Sequence, residues 1–352
     1  MKYIHLYELL KKEILEQKFA PGAKLPPINH LITDLKASYV TVRHALKLLQ
    51  QEGLIKGVRS KGTFVRDLSG FAPFPQEKER YRVAVLTPEQ LSRSMTEPYF
   101  NKIFWGIEDA LSEMKGLAYA FSNKDKNLRE ILRELNVLQI HALITVGLEE
   151  TGFRTELDRI AMPVVHTDIE EKCHTRSIIT ADNRQGGRLA FEKLRSLGHS
   201  KILFIEAFNQ NIKKIDSTTL QRFKGAREAA RRIGFRGLMR RSVSHERTTR
   251  VRDMRALLEE CGAFTGLVFC SSTLFGIAKE YLENKPVDQT KPLDIVLFDL
   301  NDDPEFIHRK PVWFCKWDGQ AMGKKAVQLA FGPRSAPGQT HYFPMFLQRN
   351  IQ

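Results

Sequence analysis

KLPPINHLITDLKASYVTVRHALKLLQQEGLIKGVRSKGTFV, residues 24–65, is the stretch whose reading decides the architecture of the N-terminal part. Ile28, Leu31, Ile32 and Leu35 fall at i, i+3, i+4 and i+7 behind Pro26 and Pro27, which predicts a short helix with one apolar face. Ser38 is a good N-cap for a second helix, in which Val42, Ala45, Leu46 and Leu49 face inward while Tyr39, Thr41, Arg43, His44 and Lys47 point out. Gly53 stops that helix. Leu54–Val58 and Thr63–Val65 then read as two strands joined by Arg59, Ser60, Lys61 and Gly62, a hairpin with cations at its tip. Upstream, His5–Gln17 carries Leu6, Leu10 and Ile14 on one helical face and supplies a third wall for a small core. Two short helices, a tight turn and a basic hairpin in this order predict a winged helix-turn-helix. The outward side chains are of the types that reach base edges and phosphates, so duplex DNA is the expected partner.

The same residues resemble the GntR family of bacterial regulators. The resemblance rests on Leu25, Pro26, Thr41, Val42, Arg43, Ala45, Leu46, Leu49, Glu52, Gly53, Leu54, Ile55, Gly62, Thr63, Phe64 and Val65, and covers nearly all of the first 66 residues. It implies DNA contacts from Asn29, Ser38, Tyr39, Thr41, Arg43, His44, Lys47, Arg59, Lys61 and Gly62. The chain departs from the family pattern where contacts are made. Pro27 stands in place of the usual serine, Asn29 and Tyr39 in place of arginines, and Ser60 in place of a wing glycine. Because arginine bidentate to guanine is the strongest single readout pair, Asn29 and Tyr39 imply a base preference displaced from the family's, toward adenine or thymine.

Composition fits a soluble protein of two or three domains: 352 residues, 42% hydrophobic, with a net charge of +14. No run of about 18 apolar residues occurs, and the N-terminus reads as an amphipathic helix and not as a signal peptide, so a cytoplasmic location and no membrane partner are expected. Cys173, Cys261, Cys270 and Cys315 form no paired motif and read as reduced, mostly buried thiols. Residues 1–67 hold twelve Lys and Arg against six Asp and Glu. Most of the remaining excess lies between Arg222 and Arg255, with twelve cations against three carboxylates. That stretch reads as a solvated helix face with a basic loop, with a second nucleic-acid surface or an anion site as the alternatives.

Residues 1–67 thus form the expected DNA-binding domain and residues 68–80 a linker, where Pro73 and Pro75 stand among charges. From Tyr81 onward, short apolar strands alternate with amphipathic helices. The strands are Arg82–Leu86, Gly116–Phe121, Ala142–Val146 and Pro163–His166, with helices at Phe104–Met114, Leu128–Leu138 and Phe153–Ile160. After Ile178 the pattern restarts with helices at Gly186–Leu197, Leu220–Ile233, Arg250–Cys261 and Leu274–Glu283. Its strands are Lys201–Ile205, Gly266–Cys270 and Asp294–Phe298. This predicts an α/β core of two doubly wound subdomains, roughly 81–178 and 181–297, with the C-terminal segment crossing between them and a cleft in the middle.

The two halves resemble the effector domain of the LacI family, which is similar to periplasmic sugar-binding proteins. The carrying residues are Glu97-Pro98-Tyr99-Phe100, Gly106-Ile107-Glu108, Pro163-Val164-Val165, Asp182-Asn183, Gly186-Gly187, Leu194, Leu197-Gly198-His199, Arg222-Phe223-Lys224-Gly225, Phe298-Asp299 and Met322-Gly323. By that resemblance, Phe100 would line the cleft, Arg222 and Asp299 would bond ligand hydroxyls, and Trp317 would stack on a ring face. The alternative for Arg222 and Asp299 is a structural ion pair, with Trp317 in the core. The family's Asn-Asp pair is replaced by Ser271-Ser272, leaving Ser272 as the polar group there, and Leu297 replaces a glycine. A site with fewer polar anchors implies a changed ligand or none.

Enzyme signatures are missing. There is no glycine-rich phosphate loop, His245-Glu246 lacks the second zincin histidine, and Asp299, Asn301 and Asp303 lead into Pro304 where a calcium loop needs glycine. No cofactor and no metal site are expected. The sequence therefore points to a homodimeric, DNA-binding transcription repressor that responds to a small, sugar-like effector. A constitutive regulator with a dimerisation-only core, an activator, and a solute-binding protein without DNA function stand as alternatives.

Overall fold

The structure is a computed structural model and describes residues 3–15, 18–35, 37–58, 61–66, 80–88, 90–170, 173, 175–208, 215–244, 246–260, 262–284, 293–298, 300, 302–332 and 338–349. It divides into two compact units, Met1–Glu79 and Arg80–Gln352.

The first unit contains α1 (Tyr3–Leu15), α2 (Ile28–Asp34), α3 (Tyr39–Gln51), β1 (Ile55–Val58) and β2 (Gly62–Val65). Leu6, Leu10, Ile14, Leu31, Val42, Leu46, Leu49, Ile55 and Val65 meet in one core, so the three helices and the base of the hairpin bury a common apolar face. Of the stripe expected on α2, only Leu31 is buried; Ile28, Ile32 and Leu35 pack at its rim. Strands β1 and β2 pair antiparallel with Ile55 opposite Val65 and Val58 opposite Gly62. Tyr7 bonds Glu52, and Lys11 reaches both the Tyr7 hydroxyl at 2.8 Å and Glu52 at 2.9 Å, tying α1 to the end of α3.

In the second unit, the first half comprises β3 (Arg82–Thr87), α4 (Leu91–Ser94), α5 (Pro98–Glu113), β4 (Leu117–Ser122), α6 (Leu128–Val137), β5 (Ala142–Val146), α7 (Thr151–Leu157), β6 (Val164–Thr167) and β7 (Ser177–Ala181). The second half follows with α8 (Asn183–Ser196), β8 (Ile202–Phe208), α9 (Ser217–Arg232), β9 (Leu238–Ser244), α10 (Arg247–Glu260), β10 (Gly266–Phe269), α11 (Ser272–Glu283) and β11 (Asp294–Phe298). The small hairpin β12 (Phe306–Ile307) and β13 (Lys310–Pro311) then leads to β14 (Trp313–Lys316), α12 (Gly319–Phe331), β15 (Thr340–Phe343) and β16 (Phe346–Gln348). One sheet runs β15-β7-β6-β5-β3-β4 and the other β16-β14-β11-β10-β8-β9. All pairings in them are parallel except β14 with β16. Strands β5 and β11 are buried at every position, as parallel strands covered by helices on both faces must be.

The chain passes between the halves three times: from β7 into α8, from β14 into α12, and from β15 into β16. Helix α12 returns to pack on α5, where a Cβ on Gly106 would lie 2.0 Å from the Gln320 carbonyl and one on Gly323 2.0 Å from that of Ile103. Helices α8 and α9 meet the same way through Gly187 and Gly225. Of the glycines that carry the LacI resemblance, Gly106, Gly187, Gly225 and Gly323 thus sit where helix backbones touch, which leaves no space for a side chain.

Several expectations change. Helix α5 begins at Pro98, not Phe104, because proline is well suited to a first helical turn that needs no N–H donor. The basic stretch from Arg222 to Arg255 holds more than a helix and a loop: Leu238–Ser244 is an edge strand, paired with β8 along its whole length. Its arginines lie on the outer strand of the sheet, where Arg240 pairs with the buried Glu206 at 2.7 Å. Among the described residues, no helix is long and apolar enough to cross a membrane. Cys173, Cys270 and Cys315 are buried and free, and Cys261 lies outside the described residues.

Candidate functional site

The surface expected from the sequence to meet DNA is built on α3. Ser38 is its N-cap: the Oγ accepts from the Thr41 N–H at 3.2 Å and lies 2.9 Å from the Thr41 hydroxyl. The hydroxyls of Ser38 and Thr41 therefore organise the first turn while remaining at the surface. Tyr39, Val40, Arg43, His44 and Lys47 are exposed along one side, with Val40 63% exposed, a waste of apolar area unless something covers it. Sequence periodicity did not single out Val40, although a valine before the inward stripe begins was the available signal. Asn29 is exposed on α2, and Lys61 and Gly62 form part of the wing tip. Gly62 has φ +114°, and a Cβ there would run into the Lys24 side chain at 2.7 Å. Arg59, the other tip cation, lies outside the described residues, as does Ser60.

The second site lies where strands of both sheets end, the position expected for a ligand in open α/β folds. Arg222 on α9 is buried. Its Nε donates to Asn183 Oδ1 at 2.8 Å, a terminal nitrogen donates to the Cys270 carbonyl at 2.9 Å, and its guanidinium lies over the rings of Phe298 at 4.7 Å and Trp317 at 5.2 Å. From the first half come Glu149 behind β5 and Asp168 and Glu170 behind β6. Glu149 Oε1 accepts from the Ser217 N–H at 2.9 Å and hydroxyl at 2.6 Å, the Glu170 N–H donates to the Ser217 hydroxyl at 2.8 Å, and Asn183 donates to Glu170 Oε1 at 2.9 Å. These bonds link the two halves across the cleft.

Asp168 holds a left-handed backbone, φ +58°, and its Oδ1 is buried without a hydrogen-bond partner. Burial, opposed in part by Arg222 and reinforced by Glu149, Asp216 and Glu170, pushes its carboxyl up to about 7. Burial likewise lifts Glu170 to about 7, against the pull of the Asn183 hydrogen bond. The cleft therefore holds a buried cation, fixed through the Asn183 amide, and carboxyls able to donate as well as accept.

Of the residues expected in the effector site, Arg222 and Trp317 come together, but as neighbours of each other. Trp317 is 6% exposed, its Nε1 is buried without a partner, and its ring faces Arg222. Phe100, expected to line the cleft, has no exposed surface: it belongs to the apolar core and stacks on Phe104 at 6.0 Å. Ser272 is half-buried in the first turn of α11, while Ser271 caps that helix by accepting from the Leu274 N–H. Asp299 lies outside the described residues. Sequence reasoning missed Glu149, Asp168, Glu170 and Ser217. An acidic residue just beyond an apolar strand run, as at Val164–Thr167, was the signal for two of them.

Residues 2–65 match the family model "Bacterial regulatory proteins, gntR family". The arabinose metabolism transcriptional repressor of Geobacillus stearothermophilus is 29% identical over 213 residues, covering 57% of this chain and 55% of that protein, so the chain spans little more than half of that relative's length. Among solved structures, the transcriptional regulator CelR in complex with cellobiose aligns with TM-score 0.62 at 17% identity, covering 89% of this chain and 91% of that one. The Cra transcriptional dual regulator of Pseudomonas putida in complex with fructose 1-phosphate aligns with TM-score 0.61 at 20% identity, covering 77% and 99%. Residues 2–65 are therefore a gntR-type winged helix-turn-helix, and the chain joins it to a core with the fold of LacI-type transcription regulators.

Proposed function

We propose that this protein is a DNA-binding transcription repressor, acting as a homodimer, whose hold on its operator is set by a sugar-like ligand in the cleft of the second unit. The observation that carries this reading is the outward face of α3, where Tyr39, Val40, Arg43, His44 and Lys47 stand exposed on a capped helix beside a basic wing. A single head of this kind covers a short half-site, so two copies on a two-fold operator are needed for useful affinity. The carboxyls of Asp168 and Glu170, pushed up to about 7 and so divided between protonated and ionised forms near that pH, suit an uncharged polyol beside Arg222 and Asn183, because its hydroxyls both give and accept hydrogen bonds. A ligand that binds the closed cleft better than the open one shifts the core between two states, and the heads lose their spacing in one of them. The regulator names carried by the relatives agree with a non-enzymatic role.

The test is a mobility shift with genomic fragments at near-physiological salt, repeated with arabinose, cellobiose and other aldoses. Retention of particular fragments and their release by one sugar are expected. Equal affinity for every duplex offered would overturn the reading. Sedimentation of the free protein checks the dimer.

A further inference from the structure

Away from the cleft, Asp158, His166 and Cys173 converge from three different elements. Asp158 is the C-cap of α7, His166 lies on β6, and Cys173 stands between β6 and β7. His166 Nε2 lies 2.9 Å from Asp158 Oδ1, the Cys173 sulfur lies 3.2 Å from Asp158 Oδ2, and the three ligand atoms fall within 4.8 Å of one another. With zinc bond lengths of about 2.0–2.3 Å, the edges of a tetrahedral site are about 3.3–3.8 Å, so small shifts of these side chains would admit an ion. We propose that Asp158, His166 and Cys173 form a binding site for a zinc-class divalent metal ion.

The surroundings match what such a site requires. His166 Nδ1 is 2.8 Å from the Thr145 hydroxyl, which orients the ring and leaves Nε2 aimed at the other two ligands. The Arg176 N–H donates to the Cys173 sulfur at 3.3 Å, which fixes the position of the sulfur. His166 is fully buried and Cys173 nearly so, while the Asp158 side chain keeps 17% exposure, which gives a path for the ion and a place for water as fourth ligand. A nitrogen, a sulfur and one carboxylate oxygen select zinc over magnesium or calcium. On binding, the Cys173 thiol proton leaves to solvent, and the imidazole proton rests on Nδ1, donated to Thr145.

The site has a use. Cys173 stands three residues after Glu170, which holds Asn183 and Ser217 across the cleft. An ion at Cys173 would fix the far end of the segment that makes those bonds.

The experiment uses the full chain, stripped with chelator and titrated with Co²⁺ as the probe. One equivalent should bind, with a thiolate-to-cobalt charge-transfer band and intense tetrahedral ligand-field absorption, both displaced by Zn²⁺. Cys173→Ser should remove the charge-transfer band. Thr145→Val should keep it and weaken cobalt binding by about 10–100-fold. Absence of the band from the stripped wild-type protein at saturating Co²⁺, or its survival in Cys173→Ser, would overturn the proposal.

Discussion

Gly187 on α8 lies directly beneath the carbonyl of Arg222 on α9: a Cβ at 187 would sit 1.7 Å from that oxygen. The residue that permits the two helices to touch therefore also sets the depth of the guanidinium in the cleft. Gly187→Ala forces the helices apart, and overpacking of this kind costs about 1–3 kcal/mol. A lowered unfolding midpoint for the second unit, with weaker sugar binding, is expected from calorimetry; unchanged values for both would contradict the contact.

Arg43 is exposed on α3 with a chain long enough to reach a base edge. Arg43→Ala should cost about 1–3 kcal/mol on the preferred operator and relax selection at one base pair. Binding-site selection with the variant checks this, and an unaltered consensus would remove Arg43 from the reading set.

Lys61 is exposed at the wing tip, where a phosphate contact is expected. Its replacement by alanine should weaken binding to all duplexes alike and reduce the slope of log affinity against log salt by about one. Anisotropy measured over a salt series gives that slope directly.

Asp168 and Glu170 both titrate near pH 7 in the folded protein, above the ordinary carboxylate range of 3.8 and 4.5. The folded state thus binds more protons than the unfolded state between these values, so stability falls as pH rises through that window. Thermal unfolding of the second unit should show a falling midpoint from about pH 5 to about pH 8, as the buried carboxyls are forced to ionise. Asp168→Asn should flatten the curve. A slope equal to that of the wild type would place the titration elsewhere.

The reading head was legible because its determinants are local. Ser38, the stripe from Val42 to Leu49 and Gly53 specify α3 without help from the rest of the chain. The core was legible wherever a strand is apolar throughout, as at Ala142–Val146. It was not legible at Leu238–Ser244, whose arginines suit an edge position that only the sheet creates. Nor was it at Gly319–Phe331, where the buried stripe includes two glycines packed on α5. The cleft was half legible. Arg222 stood out, but its partner Asn183 and the Glu170 and Ser217 that continue the hydrogen-bond chain are brought together by the sheet ends of two halves, and Phe100 was misplaced because α5 turns it into the core.

Three runs of backbone, near residues 182, 317 and 344, join the halves of the second unit, and two of them lie side by side, with the Asp182 N–H donating to the Phe343 carbonyl at 2.6 Å. A single tether would let one lobe swivel freely about the other; a triple strap resists torsion and leaves bending about one axis as the cheap motion. Relative movement of the halves is therefore close to a one-dimensional displacement, which a ligand and a second subunit, as proposed, would turn into a defined change of span.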